Sequence, residues 1–224
     1  MADAAPDLVA WCHVQAGQLA FSTGQFDAAE SHYQAALAAL PGDWSALDHL
    51  AELRAAQRRF DESITIYAPL IQRVPRPELQ QALGDVYAAA NKPDDARRLR
   101  ELALAGYLKA TVDGSAHYYH HLAGLYSDAL PNPPEAVRWA KRDLEIRHTL
   151  YAHDALAWAL YQSGDPKAAA DEMDKALALG TKDSHLLYHA SLIYYRAGDT
   201  AKAKDHLRRA AEANPKFNEF HVHR

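Results

Sequence analysis

The residues here that could do chemistry are histidines. His117 and His121, and likewise His185 and His189, stand four apart, which puts both imidazoles of a pair on one face of a helix. Two imidazoles so placed can ligate zinc or copper, but a stable site needs a third or fourth donor. Asp154, between the pairs in sequence, is a candidate third donor for one of them. Neither pair encloses a glutamate, so the HExxH pattern is missing. The pairs also stand a whole structural unit apart, too far to share one ion. The expectation is that the histidines line a surface or pack, with no metal and no cofactor. If an ion binds at all, its ligands come from His117, His121, His185 and His189. The His221-Val222-His223 end is expected to be solvated.

Other reactive patterns fail. The chain has no G-x-S-x-G elbow, no Walker loop and no G-x-G-x-x-G. Cys12 and His13 are adjacent, and adjacent helical side chains diverge by about 100°. Asp94 and Asp95 precede Arg97 and Arg98 by one turn and are expected to be helix-start charges. No enzymatic activity is expected.

The elements that must carry these side chains are helices. The sequence has 46 Ala and 27 Leu against 7 Val, 5 Ile and 6 Thr. Ala and Leu lose little rotamer freedom in a helix, whereas β-branched residues crowd the preceding turn. The composition predicts an all-α fold. A single cysteine excludes an internal disulfide and any Cys-rich metal site. Residues 1–43 carry five acids and no Lys or Arg, and the remaining 24 acids balance the 24 bases. Without a basic excess the electrostatic source of nucleic-acid affinity is missing. The longest uncharged stretch, Leu8 to Phe26, is too polar for a membrane span. The start lacks the positive region of a secretory signal, so the expected compartment is cytoplasmic, or periplasmic if a leader has been removed.

Two ladders of small residues run along the chain. Gly17, Ala51, Gly84, Ala123, Ala157 and Ser191 are spaced by 34, 33, 39, 34 and 34 residues. Ala29, Ser63, Ala96, Ala136, Ala169 and Ala203 repeat the period about a dozen positions later. Pro41, Pro75 and Pro215 fall at one phase, and Gly24, Gly164 and Gly198 fall where a turn is needed. Asp27, Asp43, Asp165, Asp183 and Asp199 are placed to cap helices, and Asn132 is placed to do so before Pro133 or Pro134.

This period, with LGDVY at 83–87, LAGLY at 122–126 and SGDPKAAADEMDKAL at 163–177, resembles the tetratricopeptide repeat family over nearly the whole chain. The resemblance implies a right-handed α-solenoid of about six helix-turn-helix repeats. Residues 1–9 are then a lead-in and 10–110 repeats one to three. Residues 111–115 form a linker, 116–217 repeats four to six, and 218–224 a tail or truncated cap. End repeats need a polar outer face.

The family geometry further implies that the first helix of each repeat lines a concave groove. Its first repeat would contribute Trp11, Val14, Gln15, Gln18 and Phe21. The next two would add an acidic stretch with Asp48, His49, Glu52, Glu78, Gln81 and Asp85. The richest part is His117, His120, His121 and Asp128, then Tyr151, Asp154, Trp158, Tyr161 and Gln162, then His185, Tyr188, His189, Tyr195 and Arg196. Flat apolar bodies with polar edges are typical of protein-binding hot spots. The resemblance therefore implies a non-catalytic scaffold that binds a neutral to basic protein or peptide in this groove, without nucleic acid. Self-association is left open. A His-rich metal-binding or metal-delivery protein is the alternative, as is the repeat portion of a larger enzyme or assembly. Arg138, Lys141, Arg142 and Arg147 are expected on a convex, solvated helix.

Overall fold

The computed structural model describes residues 5–178 and 180–217. Among them there are twelve α-helices and no strand. The helices are α1 (Pro6–Ser22), α2 (Phe26–Ala39), α3 (Trp44–Ala56), α4 (Phe60–Arg73), α5 (Pro77–Ala89), α6 (Pro93–Val112), α7 (Tyr119–Gly124), α8 (Pro133–Ile146), α9 (Leu150–Gln162), α10 (Pro166–Ala178), α11 (Ser184–Ala197) and α12 (Thr200–Ala213). They form six consecutive hairpins. Every member of both small-residue ladders is buried, so the period marks where two helices approach most closely.

Local chemistry sets most boundaries. Proline opens α1, α5, α6, α8 and α10, where its missing N–H costs nothing. Asp43, Asp165, Asp183 and Asp199 accept backbone N–H groups at the starts of α3, α10, α11 and α12. Two expected caps differ. Gln25 occupies the N-cap of α2, because Phe26 is drawn into the first turn by stacking on Phe21, and Asp27 is already helical. Asn132 sits at the N-cap of α8, but its side chain does not cap. The tight turn needs a left-handed residue, φ 86° at Gly164 and 93° at Gly198. In the second and third hairpins that position falls to Arg58 and Asn91, at φ 61° and 59°. Ala123 and Ala136 stand 13 residues apart where the other ladder pairs stand 12 apart, and the fourth hairpin takes up this extra residue differently. After α7 the chain makes a π-helical turn, Leu125–Ala129, closed by the Leu130 N–H donating to the Leu125 carbonyl at 2.8 Å.

The described residues divide into two compact units, 5–99 with 214–217, and 100–178 with 180–213. In the first, Gly17 lies against the fully buried Tyr33 ring. Arg54 on α3, itself buried, is held by Glu30 of α2 through Nη1 at 2.8 Å. Asn214 is buried beside Gly24, and the Lys216 ammonium lies 4.9 Å from the centre of the Phe26 ring. Leu8, Trp11 and Leu19 of α1 remain exposed, so the outer repeat is not uniformly polar. In the second unit, Tyr107 of α6 packs with Leu122, Leu125 and Trp139, and Met173 packs with Leu186, Ile193 and Tyr194. Residues 1–4 and 218–224, including His221 and His223, lie outside the described residues. Pro6–Val9 of the expected lead-in are helical, and the connection before α7 runs over 113–118.

Candidate functional site

The second unit gathers most of the candidate side chains around α9, which packs between α7 and α11. Thr149 and Asp183 cap α9 and α11, fixing where each helix starts. From those starts, Tyr151, Asp154, Trp158 and Tyr161 fall at i, i+3, i+7 and i+10 along α9. His185, Tyr188 and Tyr195 fall at i, i+3 and i+10 along α11.

The two faces meet at a buried polar pair. Asp154 is 6% exposed and His189 8%. His189 Nδ1 lies 3.0 and 3.1 Å from the two carboxylate oxygens of Asp154. An ionised carboxylate can only accept, so this nitrogen carries the proton. The His185 ring stands edge-on to His189 with centroids 3.9 Å apart. Trp158 lies flat on the other side of His189, centroids 3.9 Å apart and planes 5° from parallel, and Tyr161 stacks on Trp158 at 4.9 Å. The indole Nε1–H donates to both oxygens of Asp128 at 3.0 Å, and Gln162 Nε2 donates to Asp128 Oδ1 at 2.8 Å. Asp128 belongs to the π-helical turn. The π-helical turn of the fourth hairpin therefore supplies the acceptor for the central aromatic ring.

Electrostatics follow from this packing. Burial pushes the Asp154 carboxyl up, but the imidazoles of His189, His185 and His120 outweigh it and hold the group below the ordinary carboxylate range. Burial lowers His120 below the ordinary imidazole range, against the pull of Asp143 and Asp154 and with help from Arg147. His206, stacked on Tyr194 at 5.3 Å, is lowered by burial and then by Arg209. Burial raises the Tyr151 hydroxyl, as do the charge and hydrogen bond of Asp183. His153, on the opposite side of α9, contacts Glu172 of α10 at 2.5 Å, and Glu172 also accepts from Lys175.

One prediction follows for stability. Unfolding frees His120 and His206 to protonate at the ordinary value of 6.5. The unfolded chain then binds more protons than the folded one as pH falls through that value. Stability is full above it and declines below it. Asp154 adds a second loss once the pH falls below 3.8. Urea midpoints at pH 7.5 and 5.5 should show the lower value at 5.5, and His206→Gln should reduce the difference. Equal midpoints would contradict this account.

The remaining candidates lie outside this stack. Tyr151 and Tyr195 are 54% and 69% exposed, Tyr188 is 36% exposed, and Arg196 is exposed. His117 and His121 do not share a helical face. His117 precedes the first residue of α7 by two positions, where Arg147 Nη2 donates to the Ala116 carbonyl at 3.2 Å, yet its ring centre lies 6.1 Å from that of His121. His117 is exposed beside Tyr118, His121 stacks on Tyr107 at 5.3 Å, and His120 is half-buried. Phe21 and Val14 are core residues of the first unit, not groove residues. Asp48 accepts the Tyr67 hydroxyl at 2.7 Å, and Glu52 engages His49 at 3.0 Å, so both acids are committed internally. Arg147 is no part of a solvated basic stripe: it pairs with the buried Asp143. Arg138 and Arg142 lie against the Trp139 ring, at 4.5 and 5.4 Å. Sequence reasoning missed the His153–Glu172 contact, since a pair 19 apart has no local signature, and it missed Asp143, whose i, i+4 spacing to Arg147 is visible but whose burial is not.

Helical hairpins recurring at about 34 residues, with the small residues of both ladders buried, define an α-helical repeat protein. A tetratricopeptide repeat model matches residues 20–84 and 160–222, more than half of the chain. The chain belongs to the tetratricopeptide repeat family. Three solved structures share the fold. A tetratricopeptide repeat protein from Parabacteroides merdae is 14% identical, with 92% of this chain and 80% of that one covered, at a TM-score of 0.51. The APC/C hetero-tetramer Cut9–Hcn1 offers a chain 15% identical, with 88% and 38% covered and a TM-score of 0.55. PilF from Pseudomonas aeruginosa is 15% identical, with 96% of each chain covered and a TM-score of 0.50. No curated protein matches the sequence. Among the described residues, no helix is long and apolar enough to cross a membrane.

Proposed function

We propose that the chain is a non-catalytic protein-binding scaffold whose docking surface is the α9–α11 face of the second unit. The family generally mediates protein–protein contacts. One fold neighbour, Cut9–Hcn1, is a protein hetero-tetramer. The observation that carries the reading is the stack Tyr161–Trp158–His189, carried on the same two helices as the exposed rings of Tyr151, Tyr188 and Tyr195. A rigid aromatic centre loses little side-chain freedom on binding, and exposed phenols on the same helices add amphipathic contact area. An extended segment or helix of the partner lies across the two helices. Asp128, already accepting from Trp158 and Gln162, and a chain charge of −5 favour a neutral to basic partner.

If Trp158 is the anchor, Trp158→Ala costs about 2 kcal/mol or more of partner affinity. Partners captured by the wild type are to be identified and each titrated against wild type, Trp158→Ala and Tyr188→Ala. The Trp158→Ala/Tyr188→Ala double variant should lose capture with its helical circular dichroism intact. Unchanged affinity in a folded double variant removes this surface from the reading. Sedimentation of the chain alone separates self-association from binding to a different protein.

A further inference from the structure

We propose that Asp154, His185 and His189 form a site for one first-row divalent transition-metal ion, with Zn²⁺ and Cu²⁺ the ions it suits. One ligand atom from each residue can be chosen so that all lie within 4.8 Å of one another. Among the described residues this is the one His, Cys, Asp or Glu group of three that does so. Ligands held at about 2.0–2.2 Å around a tetrahedral ion are roughly 3.3–3.5 Å apart, so the three atoms need only a small convergence. Asp154 and His189 nearly have that spacing already, at 3.0 and 3.1 Å. In the ion's absence a proton bridges them, and a bound ion would take its place.

The surroundings support the donors. Asp154 and His189 are buried, and His185, four residues earlier on α11, reaches the same point from the same helix face. Capping by Asp183 fixes the start of α11 and so the direction in which both histidines project. Trp158 lies flat against His189 and limits its rotation. Donor type selects the ion. Two imidazoles and one carboxylate suit Zn²⁺, Cu²⁺ or Ni²⁺, whereas Mg²⁺ and Ca²⁺ prefer all-oxygen shells. Three protein ligands leave a coordination position for water or an incoming side chain. His117 and His121 are not members of this group.

The test uses the full, tag-free chain, titrated calorimetrically with ZnCl₂, CuCl₂ and, as the hard-cation control, MgCl₂. One Zn²⁺ or one Cu²⁺ per chain is expected, with no Mg²⁺ uptake. Cu²⁺ should quench the fluorescence of Trp158, whose ring touches a ligand. Trp158→Phe should abolish most of that quenching while keeping the Zn²⁺ stoichiometry. Asp154→Asn and His185→Gln should each weaken Zn²⁺ binding by about 100-fold or more, beyond the 10–100-fold cost of losing an outer-shell partner. His221→Gln/His223→Gln should change neither. Should Asp154→Asn fail to fold by circular dichroism, His185→Gln, whose side chain is less buried, carries the test. Zn²⁺ binding that survives a folded His185→Gln, or no Zn²⁺ uptake by the wild type, overturns the proposal. Neither readout involves a protein partner, so failure here leaves the docking surface standing, and the reverse also holds.

Discussion

Arg147→Met is expected to lower the stability of the second unit by about 3 kcal/mol. An exposed ion pair is worth no more than about 1 kcal/mol, and the Arg147 side chain is 37% exposed. Its partner decides the outcome. Asp143 is 2% exposed, and Arg147 Nε donates to its Oδ1 at 2.9 Å while Nη2 donates to the same oxygen. Removing the guanidinium leaves a buried carboxylate without its counter-charge, the situation that makes a broken buried pair costly. The same guanidinium also binds the carbonyls of Ala116 and His117, at 3.2 and 3.5 Å, tying the end of α8 to the connection before α7. Urea denaturation measures the loss. Arg147→Met/Asp143→Leu should recover much of it, because no unpaired charge then remains. A single variant as stable as the wild type would show that Asp143 has access to water.

The second large effect is expected at Gly17→Val, at about 3 kcal/mol, the upper range for overpacking. A Cβ on Gly17 would stand 2.3 Å from Cε1 of Tyr33 and 2.7 Å from its Cδ1. The ring is fully buried, so it cannot swing away. Replacing a helical glycine ordinarily gains up to about 1 kcal/mol for Ala, and less for β-branched Val. The steric cost exceeds that gain, and Gly17→Ala should fall between the wild type and Val. Gly124 is the contrast: a Cβ there meets nothing within 4 Å, and Gly124→Ala should stabilise. Pairing Gly17→Val with Tyr33→Leu should give a loss smaller than the sum of the two single losses, since both act on one contact. A strictly additive pair would place the strain elsewhere.

Much of the architecture was legible in the residues. The two ladders, the caps Asp43, Asp165, Asp183 and Asp199, and the opening prolines each act within one hairpin or recur at a fixed period. A local pattern suffices to read them. The long α6 and the irregular fourth hairpin were visible as breaks in that period. What the break became was not: an extra residue can lengthen a loop or be absorbed in a helix, and here it formed the π-helical turn bearing Asp128. The cap expected at Asp27 differs for the same reason: with Phe26 stacked on Phe21, the N-cap falls two residues earlier, at Gln25.

The site divides similarly. Periodicity put Tyr151, Asp154 and Trp158 on one face of α9, and His185, Tyr188 and His189 on the facing side of α11, because 100° per residue follows from the helix itself. Contact across helices depends on how far each is rotated about its own axis, and a shift of one residue exchanges every partner. Only packing set that rotation. It joined Asp154 to His189 and Trp158 to Asp128, across 35 and 30 residues. It also left His117 two residues before the start of α7, with its ring still 6.1 Å from that of His121. Composition and period determined a chain of helical hairpins. The choice of which polar groups would lose water together, and so need one another, belonged to the tertiary structure.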